Sequence, residues 1–172
     1  RTCMRALVKP APCVGMVVRD VPVPPIGSQD VLIRVLYAGV CGTDLHIWEW
    51  DRWASNRLKP PVTIGHEFSG VIVENGPGVD GWKPGDRVAV EPNIACDNCE
   101  NCLNNRQNFC LNWQAVGVTR PGGMAECVLA VGFEQMEAGA IGTHIFSWMD
   151  RPYITLREKG FGILYADRAI KS

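Results

Sequence analysis

The stretch that most constrains this chain runs from Cys96 to Cys110, C-D-N-C-E-N-C-L-N-N-R-Q-N-F-C, with cysteines spaced C-x2-C-x2-C-x7-C. Zn2+ takes four soft ligands in a tetrahedron, and an all-thiolate shell of this kind is closed and structural. The two short spacings let a tight loop of turn-forming residues (Asp97, Asn98, Asn101, Asn104, Asn105) bring three thiolates to one ion, and Cys110 closes the shell. Disulfides fit less well, because cysteines this close seldom bridge one another. An iron–sulfur run of the ferredoxin kind would continue x3-Cys-Pro after the third cysteine. Here seven residues intervene and no proline follows Cys110. The expectation is a structural zinc lobe over 93–113, held by Cys96, Cys99, Cys102 and Cys110.

A lobe of that size needs a domain to sit on, and 172 residues suit one domain with a real core. The net charge of −1 gives no electrostatic reason to expect nucleic acid or an anionic membrane as partner. No apolar run approaches the about 18 residues that span a bilayer. The opening R-T-C-M-R-A-L-V-K-P lacks the apolar centre of a secretory signal. Eight cysteines beside a thiolate metal site point to a reducing compartment, so a cytoplasmic location is expected.

The first ninety residues read as short strands rich in Val and Ile, broken by Pro and Gly: Met4–Lys9, Val14–Arg19, Asp30–Ala38, Phe68–Glu74 and Asp86–Glu91. A helix is expected after Cys41, capped by Thr43 or Asp44 and running through His46, Trp48 and Trp50. Beyond the lobe, Ala115–Thr119 and Ala125–Val131 flank a Pro-Gly-Gly turn. Near the end a short strand from Tyr153 precedes a closing helix over Glu158–Lys171, weakened by Gly160 and Gly162. The fold class is therefore mainly β with a few helices, in a barrel or sandwich. Gly76-Pro77-Gly78-Val79-Asp80-Gly81 matches G-x-G-x-x-G, but a dinucleotide fingerprint must open a helix. Trp82-Lys83-Pro84-Gly85-Asp86 reads as a turn into another strand, so this run is expected to be a loop.

Two further segments set polar groups among apolar neighbours: Cys41-Gly42-Thr43-Asp44-Leu45-His46 and Gly65-His66-Glu67-Phe68-Ser69-Gly70. Cys41 and His66 are both good zinc ligands and together leave positions open for water or substrate. Asp44 is placed to accept the other ring N–H of a ligating His66, and Thr43 with His46 to carry a proton towards solvent. Taken singly, these residues have plainer readings, since a lone cysteine is usually a small buried hydrophobe.

Taken in order, C-G-T-D-L-H, G-H-E-F-S-G, G-D-R-V and the four-cysteine lobe resemble the catalytic domain of zinc-dependent medium-chain alcohol dehydrogenases. The threonine and polyol dehydrogenase branch is the most similar, on H-I-W-E-W-D-R-W-A and G-V-T-R-P-G-G-M-A-E. The resemblance runs from about Met4 to Val131 and implies a GroES-like β-barrel. It implies Cys41 and His66 as ligands of a catalytic zinc, with Glu67 beside the metal as a third or exchanging ligand. It implies Thr43 and His46 as a proton relay, and the lobe cysteines as holders of structural zinc.

Members of that family are about twice as long, with a Rossmann domain for NAD(P) inserted in the catalytic domain. Here 1–131 corresponds to the first part, 132–141 to the junction where the insertion would stand, and 142–172 to the return segment. No NAD(P) site is expected within this chain, and His144 in the return segment is read as structural. Hydride transfer depends on holding the nicotinamide against the substrate carbon, so this chain is not expected to run it alone. Two alternatives follow: an esterase-like zinc hydrolase with Glu67 or His46 as base, acting on a small-molecule substrate, or a non-enzymatic zinc-stabilised domain that assembles with itself or with a separate cofactor-binding partner. A homo-oligomer formed through apolar surface near the cleft is also expected.

Overall fold

The computed structural model describes residues 2–131, 136–138, 163–165 and 170–171. Their architecture is predominantly β, as the strand pattern anticipates. The N-terminal strand β1 (Cys3–Lys9) alternates strictly at first, burying Met4, Ala6 and Val8. It lies between β2 (Val17–Pro22) and β4 (Val62–Thr63), antiparallel to both. β2 starts three residues later than the expected Val14, because Gly15 turns the chain at φ 103° and Ala11–Val14 form bends.

The second sheet is built on β3 (Asp30–Gly39). β5 (Phe68–Asn75) pairs along one edge of it, and β6 (Arg87–Val90) pairs with β5. On the other edge of β3 lie β9 (Cys127–Val131) and, beyond Arg34, β11 (Ile163–Tyr165). Register shifts between Leu32 and Ile33 and between Val35 and Tyr37 bend β3. Val31, Ile33, Ile72, Val88 and Val128 from these strands form the core with Ile47 and Ile64, all essentially without solvent contact. The sheets are joined where β1 meets the segment before β9, through Leu7 N–H to the Met124 carbonyl at 2.8 Å and Glu126 N–H to the Arg5 carbonyl at 3.2 Å. The Gly76–Gly81 run is a loop between β5 and β6, with no helix opening from it.

The helices are short: α1 (Gly42–Glu49), α2 (Arg52–Ser55) and α3 (Glu100–Leu103). The lobe leaves and rejoins the barrel through the two-residue strands β7 (Asn93–Ile94) and β8 (Gln114–Ala115), which pair with each other. β10 (Met136–Ala138), within 132–141, adds to the sheet beside β6. One expectation is corrected in the tail. Within the expected closing helix, Ile163–Tyr165 and β12 (Ile170–Lys171) are strands. The reason is tertiary: β9 covers β3 only as far as Arg34, and β11 pairs with Tyr37–Gly39 beyond it, while Gly160 and Gly162 oppose a helix start. The strand expected from Tyr153 and His144 lie outside the described residues.

Candidate metal centres

The N-terminal end of α1 builds the first centre. Its cap is Cys41 itself rather than Thr43 or Asp44, because the sulfur accepts the Thr43 amide at 3.3 Å. Asp44, at the third helical position, reciprocates by accepting the Cys41 amide at 2.9 Å on Oδ2. This is a capping box with a thiol in the usual hydroxyl place, and it fixes the direction of both side chains.

His66 arrives from the other side, on the turn between β4 and β5. Gly65 turns there at φ 100°, with no room for a side chain: a Cβ would stand 2.5 Å from the Met124 amide nitrogen. Gly117, at φ 78°, allows equally close approach to the Gly65 carbonyl. The turn is thus wedged in place, and His66 Nε2 comes to 3.0 Å from Cys41 Sγ. Behind the ring, His66 Nδ1 and Asp44 Oδ1 are 3.7 Å apart, and both are buried without a hydrogen-bond partner. Asp44 therefore faces the ring but, at this separation, does not make the hydrogen bond expected of it. Cys41, Asp44 and His66 offer ligand atoms all within 4.8 Å of one another.

The electrostatics leave this pocket rich in acidic groups and short of positive charge. Burial, then the Asp44 charge, pushes the Cys41 thiol up to about 11. Burial also raises Asp44 and Glu67 above the carboxylate range, opposed in each case by His66. Three acidic groups held towards their neutral forms chiefly by burial would be ionised by a divalent ion among them. The unpartnered Nδ1 and Oδ1 and the thiol–imidazole pair fit zinc.

Glu67 is held by its backbone, Gly39 N–H donating to its carbonyl at 2.7 Å, and Gly39 lacks the Cβ that would crowd Oε2. Its carboxylate stands outside the compact trio but lines, with His66, a cavity of about 170 Å³ closed by Val90, Glu91, Pro92 and Asn93. These last four were not legible as site residues, since only the return of β6 towards His66 brings them there. A larger groove of about 300 Å³ between β1 and Gly123–Glu126 contains none of the candidate groups. Thr43 is half-buried beside Cys41. His46 lies on the outer side of α1, where Nδ1 meets Asp51 Oδ2 at 2.5 Å. Asp51 went unnoticed in the sequence, although it caps α2 by accepting the Ala54 amide at 3.0 Å.

The second centre follows the cysteine spacing. The sulfurs of Cys96, Cys99, Cys102 and Cys110 all lie within 4.8 Å of one another. Asp97 and Asn105 adopt φ 52° and 57°, which Asn and Asp tolerate better than most residues, and so the loop curls around a point. Amide N–H groups aim at the sulfurs: that of Asn98 foremost brings Cys96 down to about 6, and those of Leu111 and Cys102 lower Cys99. Burial and the neighbouring sulfurs push Cys102 up to about 12. Thiolates stabilised by amides around one buried sulfur suit a dication shared by all four.

Comparison with known proteins identifies the family. L-threonine 3-dehydrogenase of Sinorhizobium medicae (strain WSM419) is 51% identical over 125 residues, covering 73% of this chain and 36% of the relative. The corresponding enzyme of Marinomonas sp. (strain MWYL1) is 46% identical over 123 residues. This chain spans little more than a third of the length of these relatives. Galactitol-1-phosphate dehydrogenase from Escherichia coli superposes with a TM-score of 0.69 at 31% identity, over 78% of this chain and 38% of that one. A protein from Sinorhizobium meliloti 1021, described as a zinc-binding dehydrogenase bound to NADP, superposes with a TM-score of 0.73 at 38% identity, over 80% and 39%. Residues 27–136 match the alcohol dehydrogenase GroES-like domain, and the chain belongs to that family.

Proposed function

We propose that this chain is the metal-binding, substrate-polarising part of a zinc-dependent oxidoreductase, acting on a small hydroxy compound of the threonine or polyol kind with NAD(P) as hydride acceptor. The observation that carries the reading is the Cys41 Sγ–His66 Nε2 pair at 3.0 Å, backed by an unpartnered Asp44 Oδ1 and His66 Nδ1. The substrate class comes from the threonine dehydrogenase relatives, and the acceptor from the neighbour bound to NADP.

Cys41 and His66 would hold zinc, with Glu67 as a further or exchanging ligand at the cavity edge. Zinc held there supplies Lewis-acid polarisation of a hydroxyl or carbonyl oxygen. Asp44, facing Nδ1 at 3.7 Å, favours the His66 tautomer protonated there, which keeps Nε2 free as a donor of its lone pair. Thr43 beside Cys41 begins a proton path, and His46, half-exposed and bonded to Asp51, ends it at solvent. The four lobe cysteines would hold a second, structural zinc. No observation favours the hydrolase or the assembly reading over this one.

Metal counting on the purified chain tests the proposal. Two zinc ions per chain are expected, and one in Cys41→Ala. One ion in both would sink the reading of the first centre. In the cobalt-substituted chain, L-threonine or a small vicinal diol should shift the visible bands that are lost in Cys41→Ala. An unchanged spectrum at saturating ligand would remove the proposed substrate class.

A further inference from the structure

Lys9, the last residue of β1, is completely buried, although lysine almost never is without a partner. Its ammonium donates to three backbone carbonyls, those of Cys13, Gly15 at 3.1 Å and Trp48 at 3.2 Å, using all three of its protons. The Trp50 ring lies beneath it, 5.1 Å from Nζ to centroid.

The partners are not scattered. Trp48 is in the last turn of α1, where carbonyls lack helical partners and a cation complements the helix dipole. Trp50 is the left-handed C-cap of the same helix. α1 is only eight residues long, about 12 Å at 1.5 Å per residue, and its opposite end carries Cys41 and Asp44. Lys9 also belongs by its backbone to the strand that positions His66: it pairs with Val62 of β4, and Ile64 N–H bonds the Leu7 carbonyl at 3.1 Å, two residues before His66.

We infer that Lys9 is a positioning residue for the first metal centre, a buried cation that sets the helix bearing Cys41 and the strand leading to His66 in one frame. The inference rests on the metal reading above. Ile47 packing and the Gly15 amide also hold this two-turn helix, but only the ammonium ties its Trp48 carbonyl to those of Cys13 and Gly15, and a tilt at the Trp48 end moves Cys41 Sγ relative to His66 Nε2. Met in place of Lys9 keeps the length of the side chain but removes the ammonium from all three carbonyls, of which that of Trp48 keeps the Gly15 amide at 2.8 Å.

The test is a Co2+ titration of the metal-free full chain, followed by absorption, with Cys41→Ser defining the spectrum of the lobe alone. Lys9→Met should weaken binding at the Cys41–His66 centre by about 10–100-fold, the range seen when an orienting partner of a metal ligand is lost. Binding at the four-cysteine lobe, which holds none of the Lys9 partners named above, should stay within about threefold. Equal affinity at the first centre in Lys9→Met and wild type overturns the inference. If Lys9→Met does not fold, Lys9→Arg decides, because its planar fork cannot serve three converging carbonyls as the ammonium does. A selective loss at the first centre then supports the role. Wild-type binding overturns it, as does failure of both variants to hold the lobe ion, which makes Lys9 a residue of general stability. A wild-type chain that binds one ion only overturns the metal reading and this role with it.

Discussion

Replacing Asp44 by Asn separates two duties that the carboxylate performs at once. One oxygen, Oδ2, caps α1 through the Cys41 amide at 2.9 Å; the other, Oδ1, faces His66 Nδ1 at 3.7 Å without a partner. A carboxylate only accepts, so it favours the His66 tautomer protonated at Nδ1 and leaves the Nε2 lone pair directed at the space beside Cys41 Sγ. Asn can keep its oxygen on the Cys41 amide, but it then presents an NH2 to Nδ1, and the ring proton moves to Nε2. The capping bond survives, so the metal-free chain should change in stability by less than about 1 kcal/mol, the usual worth of a cap. Zinc affinity at the first centre should fall about 10–100-fold, or about 1.4–2.8 kcal/mol, while the lobe is untouched. Asp44→Ala should lose both, with an added loss of about 1 kcal/mol in the metal-free chain. Competition titration with a chromophoric chelator measures the affinities, and urea unfolding in chelator measures the stability. If Asp44→Asn binds two zinc ions with wild-type affinity, Asp44 does not set the His66 tautomer and the account of this centre is wrong.

Cys102→Ser, at the buried ligand of the lobe, should reduce zinc by one ion per chain and open 96–110 to proteolysis, while the first centre keeps its metal. Retention of both ions would refute the tetrad. Gly117→Ala forces φ 78° on a residue with a Cβ and sets that atom 2.2 Å from the Gly65 carbonyl. The φ alone costs about 1–3 kcal/mol, and the urea midpoint should fall accordingly; an unchanged midpoint would contradict the wedge that holds His66. Asp51 is held below the carboxylate range, by the Ala54 amide first and with help from His46. A lowered folded-state pKa stabilises above the unfolded value near 3.8 and is lost as pH falls below it. The urea midpoints of wild type and Asp51→Ala should therefore differ above about pH 4 and converge below it, and a constant gap down to pH 2.5 would refute the assignment.

Much of the fold was legible because its signals are local. β1, β3, β5 and β6 match alternating or continuous Val/Ile runs bounded by turn residues, to within a residue or two. The Gly76–Gly81 run was recognisable as a loop from Pro84, which forbids the helix a nucleotide would need. The tail was misread where spacing alone suggested a helix, since Ile163–Tyr165 answers to the edge of β3 beyond Arg34 and not to its own periodicity.

The four-cysteine lobe is what the sequence by itself determined most completely, because its ligands lie within fifteen residues and short-range turns can close them on one ion. The first centre was different: Cys41 and His66 are twenty-five residues apart, and nothing local brings a thiol to 3.0 Å from an imidazole. Tertiary structure decided that distance, through glycines at 65 and 117 that admit close backbone contact and through α1 packed by Ile47. It also decided which residues share the cavity with His66, and that Lys9, to all local appearance a surface charge at a strand end, is buried under the helix. Spacing is inherited along the chain, whereas burial and approach depend on what the rest of the chain packs against them.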